Sequence, residues 1–209
     1  MVSEHASFVL VAVVAAVALA TVFVGIGYVF WLCGRLFALP GVVVHELAHK
    51  TACDLAGVHV AEVVYFRLGD PAGYVVHERP TRYSASFAIG VAPFLANTVV
   101  SFAAFLALGV LVSRIGDPRA VAAETVAAGV ALGWLGLSVG MAAFPSTGDA
   151  SELWNRSRSE WRRSPSVLLG VPVVALIYVA NLLSRLWAHV LYALALGAFA
   201  FAAVGLGPF

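Results

Sequence analysis

Charge is scarce in this sequence. Lysine, arginine, aspartate and glutamate make up 11% of its 209 residues and the net charge is +1, so there is no basic field to hold nucleic acid. Cysteine is nearly absent as well. Cys33 and Cys53 both fall inside apolar stretches and cannot build a disulfide framework. Neither reads as redox chemistry, and Cys53 reads as a small buried hydrophobe, although it falls one helical turn past His49, which keeps a metal role open for it. Polar residues are too few to cover a soluble domain: 62% of the chain is hydrophobic and the mean hydropathy is +0.96, well outside ordinary globular balance. These shortages together imply an all-α polytopic membrane protein, a single membrane-embedded domain over 1–209 whose first partner is the lipid bilayer.

What the chain has instead is long apolar runs. Residues 8–31 are unbroken and, at ~1.5 Å per residue, suffice to cross ~30 Å of hydrocarbon. The leading Met1-Val2-Ser3-Glu4-His5 carries no Lys or Arg, and the run continues past Ala18 and Ala20, so a span is expected rather than a cleaved signal peptide. A second span over 36–57 has Pro40 near its entry, where a missing N–H costs least, and Gly57 as its stop. Further spans are expected at about 84–112, 121–144, 166–183 and 186–206, about six in all, with a turn near Arg185; one long kinked helix over the last stretch is the alternative. Residues 60–78 hold two β-rich runs around Gly69-Asp70-Pro71-Ala72-Gly73 and predict a β-hairpin. Residues 149–163 predict an interfacial helix, with Trp154 and Trp161 at headgroup level and Arg156, Arg158, Arg162 and Arg163 toward anionic lipid.

Inside the second span stands His45-Glu46-Leu47-Ala48-His49. On a helix the two histidines lie one turn apart on one face and can hold one Zn²⁺, while Glu46 reaches a water at the metal. Ionisable side chains in hydrocarbon are costly and mark functional sites. The other polar residues read more plainly: His59, Asp70, His77 and Glu78 as solvated loop residues, Glu124 as a carboxylate suited to a helix N-terminus, Asn181 and His189 as packing groups. Basic residues favour a cytoplasmic N-terminus, with Lys50, Arg67, Arg79, Arg82 and the four arginines after the fourth span inside, and Arg35, Arg114, Arg119 and Arg185 outside. The end of the HExxH helix is then cytoplasmic too, at the membrane depth of Asp149. That makes Asp149 the expected third ligand, ahead of Asp70, which sits in a turn, and Glu152, which can reach Arg156 at helical spacing.

These pieces resemble the site-2 protease family of intramembrane zinc metalloproteases. The resemblance covers about residues 36–152 and rests on His45-Glu46-Leu47-Ala48-His49, on the Gly90 to Asn97 stretch, similar to that family's glycine-proline-asparagine segment, and on Asp149 downstream. It implies Zn²⁺ held by His45, His49 and Asp149, Glu46 as the general base, and hydrolysis of peptide bonds in membrane-spanning or membrane-proximal substrates. The hairpin edge would hold such a substrate as an added strand, and Asn97 would either hydrogen-bond that strand or the developing oxyanion, or pack helices together. Two departures stand out: the family's aspartate precedes a glycine, whereas Gly148 precedes Asp149 here, and the family's upstream amide is missing near Met141. The loops are also too short for a PDZ-like insertion. Two other classes share an HExxH: a membrane zinc peptidase of the prenyl-protein-processing type, which draws a later glutamate or histidine as ligand, and a non-enzymatic metal-binding transporter or scaffold.

Overall fold

A computed structural model describes residues 2–117, 120–160, 167–184 and 187–206. In chain order the elements are α1 (Val2–Ala56), β1 (Val60–Val64), β2 (Tyr74–His77), α2 (Tyr83–Ser113), α3 (Ala123–Met141), α4 (Thr147–Glu160), α5 (Val167–Ser184) and α6 (Ala188–Ala203). The chain divides into two compact units, residues 1–37 and 38–209.

In the first unit every residue from 13 to 31 is exposed, and the side chains are almost all apolar. A surface of that kind needs lipid rather than water around it. At its end Tyr28 stacks on Trp31 at 5.6 Å, and the Arg35 guanidinium lies 5.8 Å above the Trp31 ring.

The second unit holds the rest. Here α2, α3 and α6 pack on one another, and α4 joins α2 and α5. Small residues let the backbones approach closely, as membrane helices require. A Cβ on Gly136 would fall 2.8 Å from the Phe105 ring, and one on Gly140 would fall 2.7 Å from Ser101 Oγ and 2.9 Å from Ala193 Cβ. Gly41 of α1 meets the Ser138 carbonyl in the same way, and its N–H donates to Ser138 Oγ at 3.0 Å. A separate core gathers Tyr83, Ala150, Leu153, Val167, Val174 and Ile177, fastened by a 2.9 Å hydrogen bond between the hydroxyls of Tyr83 and Ser157.

Three helices among the described residues are long and apolar enough to cross a membrane: Val13–Ala56 of α1, then α2 and α3; α6 is apolar but shorter. These long apolar helices suit membrane insertion, and the small sheet stands where the hairpin was expected. The sheet is antiparallel, with Val60 opposite His77 and Val64 opposite Tyr74, and an irregularity between Val60 and Glu62.

Several expectations differ from this structure. Helix α1 runs through residues 32–35, where two spans were to separate; one glycine among helix formers, at about 1 kcal/mol, does not stop a helix. Helix α4 begins two residues before the interfacial helix expected at 149–163. Arg156 does not face lipid. It is 4% exposed and donates to Glu160 at 2.9 Å, not to Glu152, and to the carbonyls of Pro80 and Thr81. A guanidinium has five donors, and two of these tie α4 to the chain that follows β2. Trp161, Arg162, Arg163, Arg119 and the turn near Arg185 lie outside the described residues, as does the side chain of Asn181.

Candidate metal centre

His45 and His49 sit one turn apart on α1, ring centroids 5.0 Å from each other. Each is held by a carbonyl from a different part of the chain. His45 Nδ1–H donates to the Ala142 carbonyl at 2.8 Å, and His49 Nδ1–H donates to the Ile89 carbonyl at 3.0 Å. Both carbonyls are spare for local reasons. Ala142 caps α3, where the last carbonyls have no intrahelical donor. Ile89 lies four residues before Pro93 inside α2, and proline has no N–H to offer it.

These bonds fix the chemistry of the rings. A carbonyl can only accept, so the hydrogen sits on Nδ1 and the neutral ring presents a lone pair at Nε2. Both Nε2 atoms face Asp149 Oδ2, at 3.9 Å from His45 and 3.4 Å from His49.

Asp149 is placed by the start of α4. Ser146 donates its N–H at 2.8 Å and its Oγ–H at 2.7 Å to Asp149 Oδ2, and Asp149 N–H returns a 3.2 Å bond to Ser146 Oγ. That is a reciprocal capping box, with Pro145 before it to end the preceding segment. Burial pushes the Asp149 carboxyl up, while the Ser146 N–H and Oγ–H that it accepts favour its charged form and pull it down. The carboxylate is therefore ionised.

Two imidazole nitrogens and a carboxylate oxygen thus converge, all within 4.8 Å of one another. Acceptors facing acceptors repel unless a cation lies among them, and this donor set suits a divalent metal ion. His45, His49 and Asp149 could hold such an ion, and they are the one group of its kind among the described residues. Cys53 is fully buried but does not belong to it, and Asp70 stays in the hairpin turn.

Around the triad lie the other candidates. Glu46 is 8% exposed and is covered by the hairpin: a Cβ on Gly73 would fall 2.7 Å from Glu46 Cγ and 2.9 Å from Val42 Cγ1. Only glycine lets the turn lie so close. Asn97 is 0% exposed, and its amide N–H groups are shared among the carbonyls of Gly41 at 3.2 Å, Val139 at 3.2 Å and Ala142 at 2.9 Å. It locks α1, α2 and the end of α3 together and shares Ala142 with His45. Of the two roles expected for Asn97, this geometry is that of helix packing.

His77, expected as a solvated loop residue, instead borders the site. With Ser86, Glu152 and others it lines a cavity of about 20 Å³ beside His49 and Asp149, while its Nδ1–H donates to the Glu78 carbonyl at 2.8 Å. Ser86 and Ser146 were not singled out from the sequence. The signal for Ser146 is the Ser-x-x-Asp spacing of a capping box. For Ser86 it is periodicity, since Ser86, Gly90, Pro93 and Asn97 recur at helical spacing on the buried face of α2.

No protein-family description, curated protein or solved structure matches the chain.

Proposed function

We propose that this protein is a membrane-embedded zinc metalloendopeptidase of the kind found in the site-2 protease family. One observation carries the reading: two Nε2 lone pairs from buried histidines and a half-buried ionised carboxylate face one another, with the HExxH glutamate one residue from the first of them. Zn²⁺ held by His45, His49 and Asp149 supplies a Lewis acid for a peptide carbonyl and for water.

The chain's own groups do the rest. Glu46 takes a proton from the attacking water at its carboxylate and returns it to the amine nitrogen as the carbon–nitrogen bond breaks. Ala142 and Ile89 keep both rings in the ligating tautomer. Ser146 keeps the carboxylate turned toward them. A transmembrane substrate must unwind before it is cut, because a helix hides its carbonyls in its own hydrogen bonds. The hairpin, already lying over Glu46, offers strand edges on which an extended segment can pair.

The test is purified protein incubated with a panel of single-span substrates. Cleavage that a chelator abolishes and Zn²⁺ restores is the expected result. A protein that binds zinc fully and cuts nothing would turn the reading toward a metal-binding transporter or scaffold.

We place the active-site end of this multi-pass protein at the cytoplasmic face, since Lys50, Arg67, Arg79, Arg82 and Arg158 gather there against Arg114 at the far end of α2. The proposal is confined to that end, because α1 runs through 32–35 without the break a return of the chain requires. Single cysteines at the exposed positions Gly69 and Ser159, in a background lacking Cys33 and Cys53, should resist an impermeant thiol reagent on intact cells and react after lysis. Labelling of either from outside would reverse the orientation.

A further inference from the structure

One buried polar group at the site has no use in the scheme above. Ser86 is 7% exposed, and its hydroxyl has no hydrogen-bond partner. Its backbone is satisfied, the N–H donating to the Arg82 carbonyl at 3.3 Å. A buried hydroxyl with no partner is destabilising, so such groups are retained where something binds them.

The cavity supplies the occupant. Ser86 lines the same space of about 20 Å³ as His49, Asp149, His77 and Glu152. A water needs at least about 10–15 Å³ and two to four polar partners, so this space has room for one water. Its walls are short of donors: His49 Nδ1–H is committed to Ile89, His77 Nδ1–H to Glu78, and the carboxylates of Asp149 and Glu152 accept. The Ser86 hydroxyl is a donor with nothing yet to donate to.

We propose that Ser86 holds a single water beside His49 and Asp149, and that this is the position from which water enters the hydrolysis. The second half rests on the peptidase reading; the first does not.

Four substitutions and three measurements decide it. With a single-span substrate that the native protein cuts, Ser86→Ala should keep native zinc stoichiometry and a KM within about threefold while kcat falls about tenfold, the size of one hydrogen bond. Ser86→Thr, which keeps the hydroxyl, should retain more kcat than its isostere Ser86→Val. Ser86→Cys, a weaker donor, should fall between native and Ser86→Ala. In the metal-free protein the thermal midpoint of Ser86→Ala should equal or lie below the native one, because a bound water is lost. A midpoint that rises means a dry, unsatisfied hydroxyl has been relieved and overturns the proposal whatever kcat does. An unchanged kcat in Ser86→Ala overturns it equally. If the native protein cuts nothing, the peptidase reading and the entry role fall together, and the thermal midpoint alone still decides whether Ser86 holds water.

Discussion

Glu46→Gln should leave zinc bound and lower peptidase turnover by about 10²- to 10⁴-fold, the range that a positioned general base contributes. The amide keeps the shape that Gly73 packs against, so the hairpin need not move. The substitution removes no metal ligand, because the three metal-facing atoms belong to His45, His49 and Asp149. What is lost is the carboxylate that accepts a proton. Zinc content by atomic absorption and turnover on one substrate, measured on the same preparation, separate the two properties. Cleavage at the native rate would remove Glu46 from the mechanism.

Asp149→Ala should lower zinc affinity by more than the about 10- to 100-fold that loss of an outer partner costs, and abolish activity with it. The substitution also removes the two hydrogen bonds that Ser146 donates to the carboxylate, each worth about 1 kcal/mol, while the bond from the residue 149 N–H to Ser146 Oγ remains. Asp149→Asn separates these effects. Its side-chain oxygen can still accept from Ser146, while the negative charge that offsets a cation is gone. Weak zinc binding in both variants identifies Asp149 as a ligand; full zinc in Asp149→Asn leaves it a cap only. Asp70→Ala and Glu152→Ala should keep native stoichiometry, and loss of zinc in either would assign the third ligand there instead.

Much of this centre is visible in the sequence because its parts obey short rules. An i, i+4 pair of histidines needs only a helix to share a face, and Asp149 stands out as an acid between Pro145 and an amphipathic segment. The hairpin is equally plain from its β-rich runs and Gly-Asp-Pro-Ala-Gly turn. Other features depend on partners that lie far away in the chain. Nothing in residues 32–35 says whether a helix stops, since Gly34 and Arg35 are tolerated within one. Arg156 has Glu152 and Glu160 at equal helical spacing, and it takes Glu160 because Pro80 and Thr81 hold the guanidinium on the other side. The role of Asn97 depends on where α3 ends, because its acceptors include Val139 and Ala142 at that terminus. Ser86 is one serine among many until the cavity beside it is seen.

The Ala142 carbonyl reaches across 97 residues to hold His45, and Asp149 lies seven residues further on. A cation bridging α1 and α4 would therefore act as a cross-link between distant parts of the chain. Closing a flexible loop of n residues costs entropy as about (3/2)RT ln n, so a tie that is present only when metal binds returns that cost to the folded state. Loading the ion and holding the bundle together are then linked equilibria. In cells short of metal, such a protein would be less stable as well as inactive, and its abundance would fall with the supply of the ion.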